Sequence, residues 1–435
     1  MTEGLPFLRR RFIRQVSFTF ITQICVTFLA LARTILAARV LQPKGQGVYY
    51  LALLVPWILG SIVNCGLGLS NVYYLGSKRS DLKTMFSIST LWGGLVSVIS
   101  FGLVWGAQIM GLLEHLLPGV PLDVFYLAML TLPVGVVSAF YLSLLQGLQA
   151  IESANRIQLT SFGAQFVFTF LVLVVLHLGL KSAIVAVLAG QFLGLMVCLR
   201  VLFRKGARFV LSFRPRFVGE IIRFGLKGQI GNVFQLFNYR LDTFLLNLYG
   251  GPYHVGIYSV AVRMAELLTY LPNAVGFVLF PRAASEEASR MNQMTPRILK
   301  VTLFLSGVAG IVLALLGSWM IRWLFTDAYL AAYKPLLILI PGVISLGGTK
   351  VLANDISGRG FPGYNSLVSG ISLVITVIGC LFFIPRWFAV GGAMASSLSY
   401  GTMFAFISLI YLKIIRKKTV PVVEPAGETI LPPLD

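Results

Sequence analysis

Apolar stretches of about twenty residues recur along the chain, separated by short polar segments. A helix of this length crosses a hydrocarbon core of roughly 30 Å. Backbone polar groups in lipid must pair within the segment, so these runs predict helices, and the ten-residue alternation of a barrel strand is absent. The first six predicted spans are Val16–Val40, Val48–Ser70, Thr84–Gln108, Val124–Ala150, Ile157–Leu178 and Ser182–Phe203. The other six are Ile221–Tyr249, Val255–Phe280, Ile298–Phe325, Leu336–Ala353, Ser366–Ile384 and Gly391–Ile414.

The composition agrees with this pattern. Of the 435 residues, 57% are hydrophobic and only 11% are charged, and the mean hydropathy is +0.86. A soluble domain carries about 25% charged residues. The sequence therefore predicts an all-α, polytopic membrane protein of about 12 transmembrane helices.

The distribution of Lys and Arg predicts the orientation. With the N-terminus in the cytoplasm, 24 of the 35 basic residues lie on the cytoplasmic side and 5 on the outer side. Short cytoplasmic loops are enriched in Lys and Arg, so this bias selects one topology over its inverse. We expect a multi-pass protein of the cell inner (plasma) membrane with both termini in the cytoplasm.

The same charge distribution weighs against several other functions. The net charge of +20 needs no nucleic acid to explain it, because no basic segment belongs to a soluble module. The cysteines and histidines are scattered along the chain, and we find no nucleophile–base pair and no phosphate-binding glycine loop. We expect no cofactor, no metal and no enzymatic activity.

The chain divides into two similar halves at a basic segment. In the first half, Arg33 precedes GVYYLA at Gly47–Ala52, and in the second half Arg240 precedes GIYSVA at Gly256–Ala261. Turns rich in Gly and Pro, QPKGQG and YGGPYHVG, lie between these elements, which indicates a parallel internal repeat. The predicted parts are a basic N-terminus (1–15), a first six-helix lobe (16–203), a basic cytoplasmic linker (204–220), a second six-helix lobe (221–415) and a disordered tail (416–435).

Several segments resemble a known transporter family. They are LARTILAARVLQPKGQGVYYLA (Leu31–Ala52), GLGLSNVYYLG (Gly66–Gly76), LLQGLQAIESANRIQL (Leu144–Leu159) and the run Asn238–Ser285. They are similar to the polysaccharide transporter family (oligosaccharide or O-antigen flippases) of the multidrug/oligosaccharidyl-lipid/polysaccharide exporter superfamily. The resemblance implies a V-shaped, two-lobed carrier that moves a polyprenyl-pyrophosphate-linked oligosaccharide from the cytoplasmic to the outer leaflet by alternating access. It also implies the lipid bilayer and polysaccharide assembly proteins as partners.

Three alternatives stay open beside this flippase interpretation. A multidrug extruder of the same superfamily has a similar length, but it usually carries a carboxylate within a lobe, and the first half has none at membrane depth. A lipid II flippase usually has fourteen helices. A membrane-embedded polysaccharide polymerase would carry a long outer loop, whereas every predicted outer loop here is short. The pattern does not identify the sugar.

Charged and amide side chains inside the predicted spans are the candidate site. A charge at membrane depth costs about 3 kcal/mol on insertion scales, so each one needs a partner or a task. Arg33 lies on a polar stripe of the first span, within an arc of roughly 140° when residues advance by 100°, and its planar guanidinium suits phosphate. The candidates for substrate binding are Arg33, Arg240, Arg263, Gln229, Asn232, Gln235 and Lys350, and those for ion coupling or salt bridges are Asp242 and Glu266.

The hairpin of the seventh and eighth spans offers a structural explanation for its charges. Arg240 and Glu266 lie at similar depths on either side of its turn, as do Asp242 and Arg263, so two interhelical ion pairs are expected. Arg39 falls on the face opposite Arg33, where we expect its side chain to snorkel to the head groups. Snorkelling is likewise the simplest expectation for Lys227 and Lys350, near the inner ends of their spans.

Overall fold

The structure is a computed structural model that describes residues 5–210 and 215–416, and within them it consists of helices and short connections. Short 3₁₀ or π turns at Leu171–Val175, Leu267–Thr269 and Asp327–Ala332 join some of the helices. The helices of the first half are α1 (Leu5–Val63), α2 (Leu67–Gly76), α3 (Leu82–Ile109), α4 (Leu112–Leu116), α5 (Leu122–Met129), α6 (Thr131–Gly147), α7 (Ile151–Phe170) and α8 (Leu180–Arg204). Those of the second half are α9 (Pro215–Glu266), α10 (Tyr270–Ser285), α11 (Ala288–Leu324), α12 (Tyr333–Gly358) and α13 (Gly363–Arg416).

Eight helical segments among the described residues are long and apolar enough to cross a membrane. The predicted all-helical, polytopic fold is therefore confirmed. The number twelve stays a prediction, because several long helices combine two predicted spans. In α1, α9 and α13 a single non-helical residue separates the two parts: Gln42, Gly251 and Phe388 respectively.

The second predicted span differs from the structure in its continuity. Its helix ends at Val63, and the chain passes through Gly66, which has φ of 71°, before α2 begins. A left-handed conformation interrupts helical hydrogen bonding, and glycine adopts it without a steric penalty. A run of apolar residues alone does not reveal such a break.

Two hydrophobic cores give the molecule its two lobes. One core consists of residues between Leu67 and Ile221. The other extends from Leu246 to Tyr411 and includes Ala38 and Leu51 of α1. The helices of each half thus pack mainly on one another, and α1 also reaches across to the second half.

The turns inside α1 and α9 share one backbone conformation and pack against each other. Gln42 has φ of 60° and ψ of 171°, and Gly251 has φ of 69° and ψ of −179°. Each precedes a proline, and each proline is followed four residues later by a glycine. A Cβ on Gly47 would overlap the carbonyl of Pro252, and one on Gly256 would overlap that of Pro43. We call this reciprocal contact of residues 42–47 and 251–256 the turn seam, and it is the arrangement expected of a two-fold internal repeat.

A second contact joins the halves near the end of α1 and the beginning of α9. Gly66 approaches Gly225 of α9 so closely that a Cβ on Gly225 would lie 2.5 Å from the carbonyl oxygen of Cys65. The rings of Tyr73 and Phe224 stack beside it, with centroids 4.5 Å apart. We call these residues the glycine seam. The two lobes therefore touch at both ends of the helical segments that follow Gln42 in α1 and precede Gly251 in α9.

Arg39 joins the lobes near the turn seam. Its Nε donates to the carbonyl oxygen of Leu324 at 2.7 Å, and a second guanidinium nitrogen donates to that of Trp323. Both carbonyls belong to the last turn of α11, where they have no partner within the helix. The snorkelling expected for Arg39 stays a prediction; helix periodicity gave the direction of this side chain but not the neighbour that it meets.

Candidate functional site

A cavity of about 610 Å³ lies between the two seams. Most of its lining comes from α1, α6, α7 and α8 of the first half, and α9 contributes Arg240 and Arg263. Gln46, from the turn seam, lines one end, and Asn64, two residues before Gly66, lines the other. We call it the main cavity. Its volume falls within the range of about 300–1,000 Å³ typical of small-molecule sites.

Arg33 lines the main cavity from α1. One of its terminal nitrogens donates to Oε1 of Gln165 on α7, and its Nε is buried without a hydrogen-bond partner among the described residues. The polar stripe that carries Arg33 also contacts α7 further along, where Asn155 donates to Thr19 at 2.8 Å. The stripe thus faces a neighbouring helix over part of its length, and Arg33 lies where that contact opens into the cavity.

Arg240 and Arg263 share one carboxylate. Nη2 of Arg240 lies 3.2 Å from Oε1 of Glu266, and Nη1 of Arg263 lies 3.2 Å from Oε2 of the same residue. Arg240 also donates to the hydroxyl of Tyr50 at 3.0 Å, which links it to the first half. The predicted pairing of Arg240 with Glu266 is confirmed. Taken together, the three arginines of the main cavity and Glu266 have a net charge of +2.

The second predicted pair does not form, because the partner of Arg263 is Glu266. Asp242 is only 2% exposed and accepts hydrogen bonds from the hydroxyls of Tyr258 at 2.6 Å and Ser396 at 2.7 Å. The backbone N–H of Thr243 donates to it as well, at 2.6 Å. Equal depth in a hairpin allowed the pair, but the side chain of Asp242 turns towards α13 instead.

A smaller cavity of about 170 Å³ lies within the second half and is lined by Asp242, Glu266 and Lys350 together with several tyrosines. Nζ of Lys350 donates to Oδ1 of Asn273 at 2.9 Å. Lys350 is therefore engaged with α10 rather than extended towards head groups. The side chain of Lys227, for which the same expectation was made, lies outside the described residues.

The three predicted amides of α9 lie outside the described lining of both cavities, and one of them contacts the first half. Nε2 of Gln229 donates to the carbonyl oxygen of Ser61 at 2.6 Å, and Asn232 donates to Gln229 at 3.5 Å. Gln235 donates to the hydroxyl of Tyr239 at 2.8 Å. Their role in substrate binding stays a prediction, and Gln229 is a contact between the two halves.

The main cavity also has uncharged polar residues that the sequence analysis did not select. They include Gln46, Gln158, Ser161, Gln165 and Gln191. Three of them, at 158, 161 and 165, follow a spacing of three and four residues on one face of α7, which is the one pattern that could have revealed them. Amides were selected from the sequence only on the seventh span, beside its charged residues, and these side chains were therefore missed.

A sequence model of the polysaccharide biosynthesis protein family matches residues 12–287, more than half of the chain. The chain belongs to this family. The match begins near the N-terminus and covers Arg33, Arg240, Arg263 and both seams. The resemblance to polysaccharide transporters expected from the sequence is confirmed.

Two archaeal proteins are similar in sequence. An uncharacterized membrane protein of Methanocaldococcus jannaschii, MJ1068, is 23% identical over 279 residues, which cover 62% of this chain and 55% of that protein. The probable flippase AglR of Haloferax volcanii is 24% identical over 180 residues, or 40% of this chain and 37% of that protein. The chain thus spans about half or less of the length of these relatives.

Solved transporter structures have the same fold. The lipid II flippase MurJ in an inward closed conformation has a TM-score of 0.75 at 16% identity, over 92% of this chain and 90% of MurJ. An inward-facing multidrug resistance transporter of the MATE family in the MOP superfamily has a TM-score of 0.71 at 15% identity, over 91% of this chain and 96% of that one. This chain therefore shares the fold of these transporters, and its long apolar helices are those of a multi-pass membrane protein.

Proposed function

We propose that this protein is a flippase that moves a polyprenyl-pyrophosphate-linked oligosaccharide from the cytoplasmic to the outer leaflet by alternating access, for surface polysaccharide biosynthesis. The observation that carries the proposal is the convergence of Arg33, Arg240 and Arg263 on one cavity whose described lining contains no carboxylate. A guanidinium binds phosphate oxygens through two parallel hydrogen bonds. Membership of the polysaccharide biosynthesis protein family supports the nature of the cargo.

The two seams provide the conformational change. Opening the glycine seam admits the head group from the cytoplasm, and opening the turn seam releases it on the outer side, while the other seam stays closed. Each seam is a close approach of backbone atoms, so small rotations of the lobes break it completely. Asp242 and Glu266 are the candidate coupling groups if an ion gradient drives this cycle, and polysaccharide assembly proteins are the proposed partners on release.

The experiment uses the purified full-length chain in liposomes. The probe is a polyprenyl-pyrophosphate-linked N-acetylhexosamine, placed in both leaflets, and the readout is its exposure to a membrane-impermeant sugar-modifying enzyme. We expect the protein to make the inner-leaflet pool accessible far faster than in protein-free liposomes. A fluorescent organic cation serves as the second probe. Movement of the cation without movement of the lipid would contradict the proposal and support a multidrug extruder.

A further inference from the structure

One wall of the main cavity is built from uncharged side chains that both donate and accept hydrogen bonds. It is formed by Gln46 of α1, Gln158 and Gln165 of α7, and Gln191 of α8. We call these four residues the amide wall. Each amide offers two N–H donors and one carbonyl acceptor. The arginines of the cavity only donate, so the amide wall differs from them in the chemistry that it can recognise.

Several polar atoms in and beside this wall are buried without a partner among the described residues. They are Oε1 of Gln46, Oε1 of Gln191, the hydroxyl of Tyr49 and Oγ of Ser138, all of which belong to residues that line the main cavity. Gln46 is 1% exposed and Tyr49 is 4% exposed. Buried polar atoms in folded proteins are nearly always hydrogen-bonded. A cluster of unsatisfied atoms around one cavity therefore points to a ligand that carries both donors and acceptors.

The main cavity also has an aromatic side chain in its lining. The indole of Trp57 lines the same cavity and is 52% exposed, and the guanidinium carbon of Arg240 lies 6.0 Å from its ring centroid. The apolar C–H face of a pyranose ring packs on such a surface, while the hydroxyls at its edge need amides and hydroxyls. The lining of the main cavity contains both, in Trp57 and in the glutamines.

The charges restrict the kind of sugar. The described lining contains three arginines and no carboxylate, so a protonated amino group there would meet like charge and find no anionic partner. An acetamido group, in contrast, carries one donor and one acceptor and no charge, which matches the side chain of glutamine.

The amide wall lies next to the arginines, which determines the part of a lipid-linked saccharide that it would contact. The hydrogen bond from Arg33 to Gln165 joins the charged part of the cavity to the wall. In a lipid-linked saccharide the first sugar is bonded directly to the pyrophosphate. A pyrophosphate held by the arginines therefore places that sugar next to the glutamines.

From these contacts we propose that the amide wall binds the first sugar of the cargo, and that this sugar is uncharged and bears hydroxyl and acetamido groups. The inference rests on the proposed flippase function and adds the class of sugar to it. It also assigns the arginines of the cavity to the pyrophosphate of the cargo and the glutamines to its first sugar.

The test measures binding of three probes to the full-length protein in nanodiscs. They are a polyprenyl pyrophosphate without sugar, the same lipid bearing an N-acetylhexosamine, and the same lipid bearing a hexosamine with a free amine. We expect the wild type to bind the N-acetylhexosaminyl lipid most tightly. Gln191→Leu should weaken that binding by roughly tenfold, because a ligand group loses its hydrogen-bond partner, and should leave the sugar-free lipid unchanged.

Two further variants make the result decisive. Gln191→Glu, which keeps the shape of the side chain, should improve binding of the free-amine lipid relative to the acetylated one. Gln146→Leu, at an exposed position near the end of α6 and outside the main cavity, should change none of the three affinities.

The outcomes separate the two proposals. Equal affinity of the wild type for all three lipids, or an equal loss on every lipid in Gln191→Leu, would overturn the sugar site and leave the pyrophosphate site standing. No measurable binding of any pyrophosphate lipid by the wild type would overturn the proposed function and the sugar site with it.

Discussion

Arg33 is the cavity arginine for which the structure shows no carboxylate partner among the described residues. Arg33 donates to the neutral amide of Gln165, and its Nε has no hydrogen-bond partner among the described residues. Arg240 and Arg263, by comparison, divide the charge of Glu266 between them. An arginine at membrane depth is costly to leave uncompensated. We therefore place Arg33 at the centre of the anion site.

Replacing Arg33 by alanine should leave the protein inserted and expressed but reduce export of lipid-linked sugar by roughly tenfold or more, since a charged hydrogen bond is lost. Arg33→Lys should rescue only in part, because a point charge does not reproduce bidentate contact with phosphate. The measurement is complementation of a flippase-deficient strain, with surface polysaccharide as the readout and membrane protein level as the control.

The matched control for this substitution is Arg386→Ala, at an exposed arginine that contacts Phe382 and lies outside the main cavity. It should complement fully. Arg39→Ala should complement only in part, because Arg39 binds the end of α11 across the lobes. Full complementation by Arg33→Ala would remove the proposed anion site.

Glu266 forms ion pairs with two arginines. Its neutralisation should therefore lower the free energy of unfolding more than neutralisation of a surface carboxylate does. Glu266→Gln should destabilise the protein by about 2 kcal/mol, somewhat below the cost of breaking a fully buried ion pair because the side chains face the cavity. The measurement is thermal unfolding in detergent. Asp327→Asn, which removes an exposed partner of Arg322, should cost less than about 1 kcal/mol.

A double-mutant cycle adds the decisive comparison for Glu266. Arg240→Gln and Glu266→Gln should be strongly non-additive, since either substitution alone already removes the Arg240–Glu266 ion pair. Additive losses would show that Arg240 and Glu266 face the cavity independently.

At the scale of elements, the same turn occurs in both halves of the chain, and the two copies pack against each other. Pro43 and Gly47 in α1 correspond to Pro252 and Gly256 in α9, and each glycine accommodates the other turn's proline carbonyl. The glycine seam is reciprocal as well: a Cβ on Gly66 would overlap the carbonyl oxygen of Gly225, and one on Gly225 would lie 2.5 Å from that of Cys65. It differs in local structure, because Gly225 belongs to a helix and Gly66 to the left-handed break before α2.

Gly225→Ala should loosen the glycine seam. Its Cβ would lie 2.5 Å from the carbonyl oxygen of Cys65, and relieving such overpacking costs roughly 1–3 kcal/mol. In a variant that retains Cys65 as its only cysteine, we expect the rate of maleimide labelling to rise by about tenfold. Gly219→Ala lies on the same helix with no other atom near its new Cβ, and it should label like the parent. Identical rates for both variants would contradict a gate at this seam.

At the scale of the whole molecule, the topology predicted from basic residues agrees with the placement of two distant turns. Gly119 packs against Pro252, and Asn247 donates to the carbonyl oxygen of Pro118 at 3.4 Å. The loops at Pro118 and Pro252 therefore lie on the same side of the protein. Which side faces the cytoplasm is a matter of charge distribution, and it stays a prediction.

Reporter fusions test that orientation directly. Fusions after Arg216, Arg290 and Lys418 should report a cytoplasmic position, and fusions near Pro118 and Pro252 an outer one, because basic loops are retained in the cytoplasm. The readout is a pair of reporters, one active only in the cytoplasm and one only outside. An outer signal after Arg216 would contradict the model of two parallel lobes.

The sequence by itself determined the class of structure and two of the places where helices break. Apolar length and the need to pair backbone groups in lipid are local properties, so the helical membrane fold follows from them. The turns at Gln42 and Gly251 follow from the prolines after them, which disfavour helical conformation in the preceding residue. The pairing of Arg240 with Glu266 was also accessible, because a hairpin sets both at one depth.

Only the tertiary structure decided which side chains share a cavity. Contacts between α1, α7 and α8 brought Arg33 to Gln165 and placed Gln191 on the same wall. The partners of Asp242, Arg263 and Arg39 likewise depend on how each helix is rotated and which neighbour it meets. Periodicity specifies a face of a helix, whereas the residue opposite that face comes from packing between segments that are distant in the chain.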